Sequence, residues 1–251
     1  KFLQKLDSQS ANFTLAMTEG IKEKHIENGL PERKISVLQN GTNIDHYFPL
    51  NRKIILNFKK NQFSIPDNAV IFGFSGNISK WQGIDDLINA SLNLMNDFPV
   101  YLLIIGTGKY LDEIKSKIEQ LNTNHRIFLK ENVPYAEMNI WNNCIDIAFS
   151  PKVKSLDGFT SPLKLRDYAA CGKPVISTAI RGIKEFESYG WLITYELNCT
   201  ENLEMKMREL LNNPERINQM GFKAREFAEN YFSWDKVAQK TIDIFINNKN
   251  K

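Results

Sequence analysis

Between residues 157 and 178 the sequence DGFTSPLKLRDYAACGKPVIST sets a lysine and two aspartates around a loop and the start of a helix. Asp157-Gly158 and Ser161-Pro162 read as the loop, and the helix begins near Leu163. A helix start offers unpaired backbone N–H groups and a partial positive charge, which together suit an anion such as a diphosphate. Lys164, in the first turn, opposes the helix dipole, a placement that makes sense when an anion sits beside it. Asp167 lies about one turn further on, on the neighbouring face. A carboxylate there can accept from both hydroxyls of a ribose. Asp157 has two readings: a contact to a bound sugar, or a turn former before Gly158.

Other chemistries find no support. His25, His46 and His125 are scattered and do not group with Ser or Cys as a triad. Gly172-Lys173 is followed by Pro174, which rules out a P-loop, and Gly106-Thr107-Gly108 lacks the third glycine of a dinucleotide fingerprint. No grouping of residues suggests a metal site. Cys144, Cys171 and Cys199 are widely spaced and odd in number, and read as reduced thiols of a cytosolic protein.

The elements that must position these residues follow from periodicity. Apolar, β-branched runs at 69–75, 101–105, 126–129, 145–149, 174–178 and 191–193 read as strands. Amphipathic segments at 84–95, 111–121, 135–143 and about 164–171 read as helices between them. Strands that are apolar throughout and separated by helices imply a doubly wound α/β fold. Its parallel sheet is covered on both faces, and ligands bind beyond the strands' carboxyl ends. The tail reads as three helices, at 201–211, 214–230 and 234–246. Residues 1–48 follow a different register, with strands at 12–17 and 35–38 around a helix at 19–28, and Asn40-Gly41 marks a turn or hinge.

Four segments, in order, resemble glycosyltransferase family 4 of the GT-B fold, the "group 1" glycosyltransferases. ISVLQNGTNID (35–45) with Phe48-Pro49 is similar to the family's interdomain linker. GFSG (73–76) through WQGIDDLI (81–88) resembles its first strand, Gly-rich turn and helix. LIIGTG (103–108) is similar to its "I-x-G-x-G", and SPLKLRDYAACGKPVI (161–176) to a variant of its donor motif. The resemblance implies the C-terminal, donor-binding half of a Rossmann-like pair. Residues 1–48 would be trailing elements of the N-terminal acceptor domain plus the linker, 49–232 the donor domain, and 233–251 a C-terminal helix packing back toward the N-terminal domain.

By the same resemblance, the donor is a nucleotide-sugar, a UDP- or GDP-sugar, bound by Gly76, Asn77, Lys80, Gly106, Val133, Ser161, Pro162, Leu163, Lys164 and Asp167. Of the residues with a catalytic part, Lys164 would stabilise the leaving diphosphate and Asp157 would reach the donor sugar. Retention of configuration, no cofactor and no metal are further implications. The acceptor would be a glycan or a lipid-linked glycan, in polysaccharide biosynthesis on the cytoplasmic side, with peripheral membrane association of the full-length enzyme. The chain departs from the family's commonest pattern in two places: aspartates at 157 and 167 stand in for two glutamates separated by seven residues, and the Gly-rich turn lacks its usual cations. Asn77 and Gln82 stand where an arginine and a lysine usually meet the diphosphate, which leaves Lys80 and Lys164 as candidate cations. A non-catalytic nucleotide-binding module, or another GT-B enzyme such as a nucleotide-sugar epimerase, would use the same fold. Because the sequence starts at Lys1 without Met, an upstream segment is expected, and with most of the other lobe missing this stretch is expected to bind nucleotide without transferring sugar alone.

Bulk properties agree with such a protein. The chain has 251 residues, 42% of them hydrophobic and 24% charged, enough for a sizeable core. A formal net charge of +3 falls far short of a nucleic-acid-binding surface, so no nucleic acid partner is expected. No apolar run approaches the roughly 20 residues of a membrane span.

Overall fold

Strands that are apolar on both faces need cover on both faces, and the chain supplies it by alternating strand and helix. A computed structural model describes residues 11–121, 123, 125–152 and 161–249. Near the start, β1 (Thr14–Ala16) and β2 (Ile35–Val37) flank α1 (Glu19–Glu27) and pair in parallel as a separate two-stranded sheet. Neither strand is hydrogen-bonded into the main sheet. A helix unforeseen from the sequence follows, α2 (Arg52–Phe63), capped by Asn51, whose side chain accepts from Lys53 N at 2.9 Å. Lysines and asparagines interrupt its apolar stripe, which hides the period. Phe58 and Phe63 nevertheless pack against Trp141.

The main sheet comprises β3 (Val70–Ser75), β4 (Val100–Ile105), β5 (Ile127–Lys130), β6 (Ile147–Ser150), β7 (Val175–Thr178) and β8 (Leu192–Tyr195). All pairings are parallel, in the order β5-β4-β3-β6-β7-β8. The order reverses between β3 and β6, so successive connections lie on opposite faces and part at that point. A crevice opens there beyond the strands' carboxyl ends. Alternation along β3 serves both cores: Ile71 joins Trp191, Leu165 and Tyr168, while Phe72 and Phe74 join Leu87, Leu102 and Leu203.

Helices α3 (Ile84–Leu94), α4 (Leu111–Gln120), α5 (Met138–Cys144), α6 (Leu163–Ala170), α7 (Thr200–Leu211), α8 (Pro214–Phe227) and α9 (Trp234–Lys249) complete the fold. α3 shows why sequence period becomes packing. Ile84, Leu87, Ile88, Ser91 and Leu94 are buried, while Asp85 and Asp86 lie in the first turn, where the dipole favours them. The helix expected over 135–143 is split. Pro134, with φ of −59° and no N–H, opens a 3₁₀ turn at Tyr135–Glu137 before α5 starts. The helix expected over 214–230 ends at Phe227 and passes through a π turn, Ala228–Phe232, that carries the chain into α9. Among the described residues no helix is long and apolar enough to cross a membrane.

One contact ties α6 to the end of β3. The Tyr168 hydroxyl accepts from Ser75 N at 2.6 Å and from Ser75 Oγ at 3.1 Å, all of it buried. Tyr168→Phe strands the Ser75 N–H away from water and is expected to cost about 1–3 kcal/mol. Urea unfolding of the two proteins measures it, and equal midpoints would contradict this role for the tyrosine.

Candidate functional site

Two glycine-containing turns meet beyond the carboxyl ends of the neighbouring strands β3 and β4. Gly76 leaves β3 at φ +140° and Gly106 leaves β4 at φ +144°. A Cβ on Gly106 would come within 1.9 Å of the Gly76 carbonyl oxygen, so only glycine permits this approach. Backbone bonds stitch the turns together: Gly76 N to Ile105 O at 2.9 Å, Ile78 N to Thr107 O at 2.7 Å. Gly76, Asn77, Ile105, Gly106, Thr107, Asn132, Val133 and Met138 line an open cleft of about 460 Å³. Gly76, Asn77, Gly106 and Val133, named from three separate stretches of sequence, thus converge on one hollow.

Gly76 also borders the start of α6, since a Cβ there would lie 2.9 Å from Lys164 Nζ. The N-cap of α6, Pro162, makes no side-chain cap bond, and among the described residues no side chain bonds the helix's leading N–H groups. Lys164 is half-buried, with Nζ 3.5 Å from the Phe74 ring centroid and 3.3 Å from Gln82 Oε1. Burial, reinforced by the charge of Lys152, pushes its ammonium well below the ordinary lysine range. Leu163, at the helix start, is 56% exposed and free to meet a ligand.

Asp167 faces a different neighbour. Its Oδ1 accepts from Thr42 Oγ1 at 2.6 Å, so the segment after β2 reaches the carboxylate. Burial raises the Asp167 pKa, while the Thr42 hydrogen bond and the adjacent Arg166 charge oppose that rise. Arg166, almost wholly buried, donates through Nε to Asn40 O at 2.5 Å and through its two terminal nitrogens to Pro162 O and Ser161 Oγ, both at 2.9 Å. Ser161 and Pro162 therefore hold the helix start in place through Arg166. Lys80, by contrast, is exposed, with Nζ 5.7 Å from the Tyr110 ring centroid. Asp157 lies outside the described residues.

Three participants escaped the sequence reading. Thr42 and Asn40 sit more than a hundred positions from their partners on α6, and a linker threonine carries no signal of its own. Lys152, just past β6, belongs to none of the motifs read from the sequence. It is buried, its backbone N donates to Thr178 Oγ1 at 2.8 Å, and its Nζ donates to Gln82 Oε1 at 3.0 Å. Its place at the carboxyl end of a central strand was the available clue. Among the described residues no group of three or more His, Cys, Asp or Glu side chains could hold a metal ion.

A parallel sheet in this order, with glycine turns, a helix start and lysines at its carboxyl edge, defines an α/β domain of the doubly wound class. Residues 57–227 match the family model for glycosyl transferases group 1, and the chain belongs to that family. An uncharacterized glycosyltransferase of Methanocaldococcus jannaschii is 23% identical over 98% of this chain and 61% of its own length. The Anabaena protein HepE, crystallised with UDP and glucose, has a TM-score of 0.83 at 17% identity, over 98% of this chain and 66% of that one. The C-terminal domain of a group 1 glycosyl transferase from Francisella tularensis has a TM-score of 0.65 at 18% identity, over 77% of this chain and 100% of that one. These likenesses give the fold as that of GT-B proteins. The chain spans 61% and 63% of the length of the first two curated relatives it matches.

The cations leave a mark on stability. Burial takes the Lys152 ammonium down to about 8 from 10.5. Between those values the unfolded chain keeps the proton that the folded protein has released, so the unfolded state binds more protons and stability rises with pH through that window. Lys152→Met is expected to remove this contribution. Urea unfolding free energies measured from about pH 8 to about pH 10 should therefore climb less steeply in the variant, and identical slopes would contradict the assignment.

Proposed function

We propose that this chain is the donor-binding part of a retaining glycosyltransferase that takes a sugar from a UDP- or GDP-sugar and passes it to a glycan or lipid-linked acceptor. One observation carries the reading: the cleft between the glycine turns borders the start of α6, where Lys164 Nζ lies against Gly76, and the Asp167 carboxylate stands about one turn further along the same helix. The base lies in the cleft beside Val133, the ribose hydroxyls bond to Asp167, and the diphosphate rests between the Gly76 turn and α6.

The leaving diphosphate gains charge as the sugar–phosphate bond breaks, and cations and N–H dipoles already in place stabilise that charge without reorganisation. The Thr42 hydroxyl donates to Asp167 and so orients the carboxylate that the ribose hydroxyls meet. The acceptor is held between this part and a lobe outside the chain, consistent with the three-fifths share of the relatives' length. The exposed Trp234, Ile242, Phe245 and Ile246 of α9 form the face turned to that lobe. The enzyme works in the cytoplasm, at the membrane's inner face where its acceptor is lipid-linked.

Calorimetric titration with UDP, GDP and ADP and their sugars tests the reading. Either UDP or GDP is expected to bind, and Asp167→Ala should weaken that binding about tenfold or more, the worth of a lost hydrogen bond to a charged group. Absence of binding to all three nucleotides at millimolar concentration, or an Asp167→Ala variant that binds as well as the parent, would sink it.

A further inference from the structure

The residues at positions 77 and 82, a carboxamide each, carry no charge, yet the crevice beside them is cationic. Gln82 is buried, and its Oε1 accepts from Lys152 Nζ at 3.0 Å and from Lys164 Nζ at 3.3 Å. The double donation also fixes the amide, because its nitrogen could not face two ammonium groups. Each ammonium lies over an aromatic ring, Lys152 Nζ 4.2 Å from the Trp81 centroid and Lys164 Nζ 3.5 Å from that of Phe74. Among the described residues neither lysine forms an ion pair. Two like charges removed from water, sharing one neutral acceptor, are an unsatisfied arrangement that an anion completes.

The framework around Lys152 is that of a built site. Thr178, at the end of β7, accepts from Lys152 N at 2.8 Å and donates to Lys152 O at 3.2 Å. Pro151 abuts Gly83, where a Cβ would lie 3.0 Å from the proline Cβ. The strand ends of β6 and β7 thereby press Lys152 onto the turn that carries Trp81 and Gln82. Asn77, by contrast, turns aside: a Cβ on Gly108 would sit 2.5 Å from Asn77 Oδ1, so the carboxamide packs on the second glycine turn.

We propose that Lys152, Gln82 and Lys164 together form a two-cation seat for a diphosphate, with Lys152 the positioning residue that acts through Gln82 on Lys164. The proposal rests on the nucleotide reading above and deepens it by assigning the diphosphate to cations from β6 and α6 rather than from the turn after β3. Lys164, next to Gly76, meets the anion directly. Lys152, behind it, supplies the second positive charge and holds the Gln82 oxygen between the two. Neutral Gln82 suits this role, since a third ammonium at that point would be repelled by both neighbours.

The test separates the seat from the nucleotide reading by using inorganic pyrophosphate alongside UDP, GDP, uridine and guanosine. Titrations are made on the 251-residue chain, on Lys152→Met, which keeps the side-chain length, and on Lys152→Arg, which keeps the charge. Lys152→Met is expected to weaken pyrophosphate and nucleoside diphosphate binding about tenfold or more, leave nucleoside binding unchanged, and melt no lower than the parent, while Lys152→Arg retains most of the affinity. A merely structural lysine would lower the melting temperature or weaken nucleoside and diphosphate alike. If Lys152→Met binds pyrophosphate within about twofold of the parent, or the parent binds no pyrophosphate at all, the seat is overturned. If pyrophosphate binds and depends on Lys152 but no nucleotide binds better than pyrophosphate, the seat stands and the donor reading falls.

Discussion

Desolvated positive charge is the constraint around which the carboxyl edge of this sheet is arranged. Lys152 and Lys164 are drawn out of water and set against aromatic rings, with one amide oxygen between them. Water would have solvated each ammonium fully, so the fold must compensate through rigid neighbours: the Thr178 clasp on Lys152, the Phe74 ring under Lys164, and the buried Gln82. Each of these neighbours is fixed by a strand end or a tight turn. The site's electrostatics are thus a consequence of the sheet's register, and loosening the strand ends would let water in and dissolve the arrangement.

A second set of contacts joins the site to the chain that precedes the main sheet. Arg166 reaches Asn40 O, Asp167 reaches Thr42, and Thr42 N donates to Phe232 O at 2.7 Å at the end of the π turn into α9. The segment after β2, helix α6 and the C-terminal helix are therefore joined through a few residues. Movement of the linker would be felt at Asp167, and a ligand on Asp167 would be felt in the linker. Such reciprocity follows from shared bonds.

Much of the site was legible because its chemistry is local. Lys164 and Asp167 lie within one helix whose proline start is visible in the sequence, and glycines 76 and 106 mark strand ends that must approach closely. What was illegible required distance. Thr42 and Asp167 are 125 positions apart, Lys152 and Gln82 are 70 apart, and no residue type in these pairs announces its partner. Lys80 attracted notice as the nearest cation to the glycine turn, yet on the folded chain it faces Tyr110. The α2 helix was missed for a related reason. Its period is blurred by Lys59, which is buried in an ion pair with Asp146 at 2.6 Å, so a residue type that reads as surface is part of the interior.

The sheet order also dictates a sequence of assembly. Its middle strand, β3, pairs on one side with β4, about thirty residues later, and on the other with β6, about seventy-five residues later. Closing the longer loop costs more entropy, so the β3–β4–β5 side is the natural nucleus. During synthesis that half can form while the other edge of β3 waits, open and hydrogen-bond-hungry, for β6 to emerge. The crevice is therefore the last thing the chain makes: its two walls belong to the early and the late half, and no ligand can serve as a template for the first.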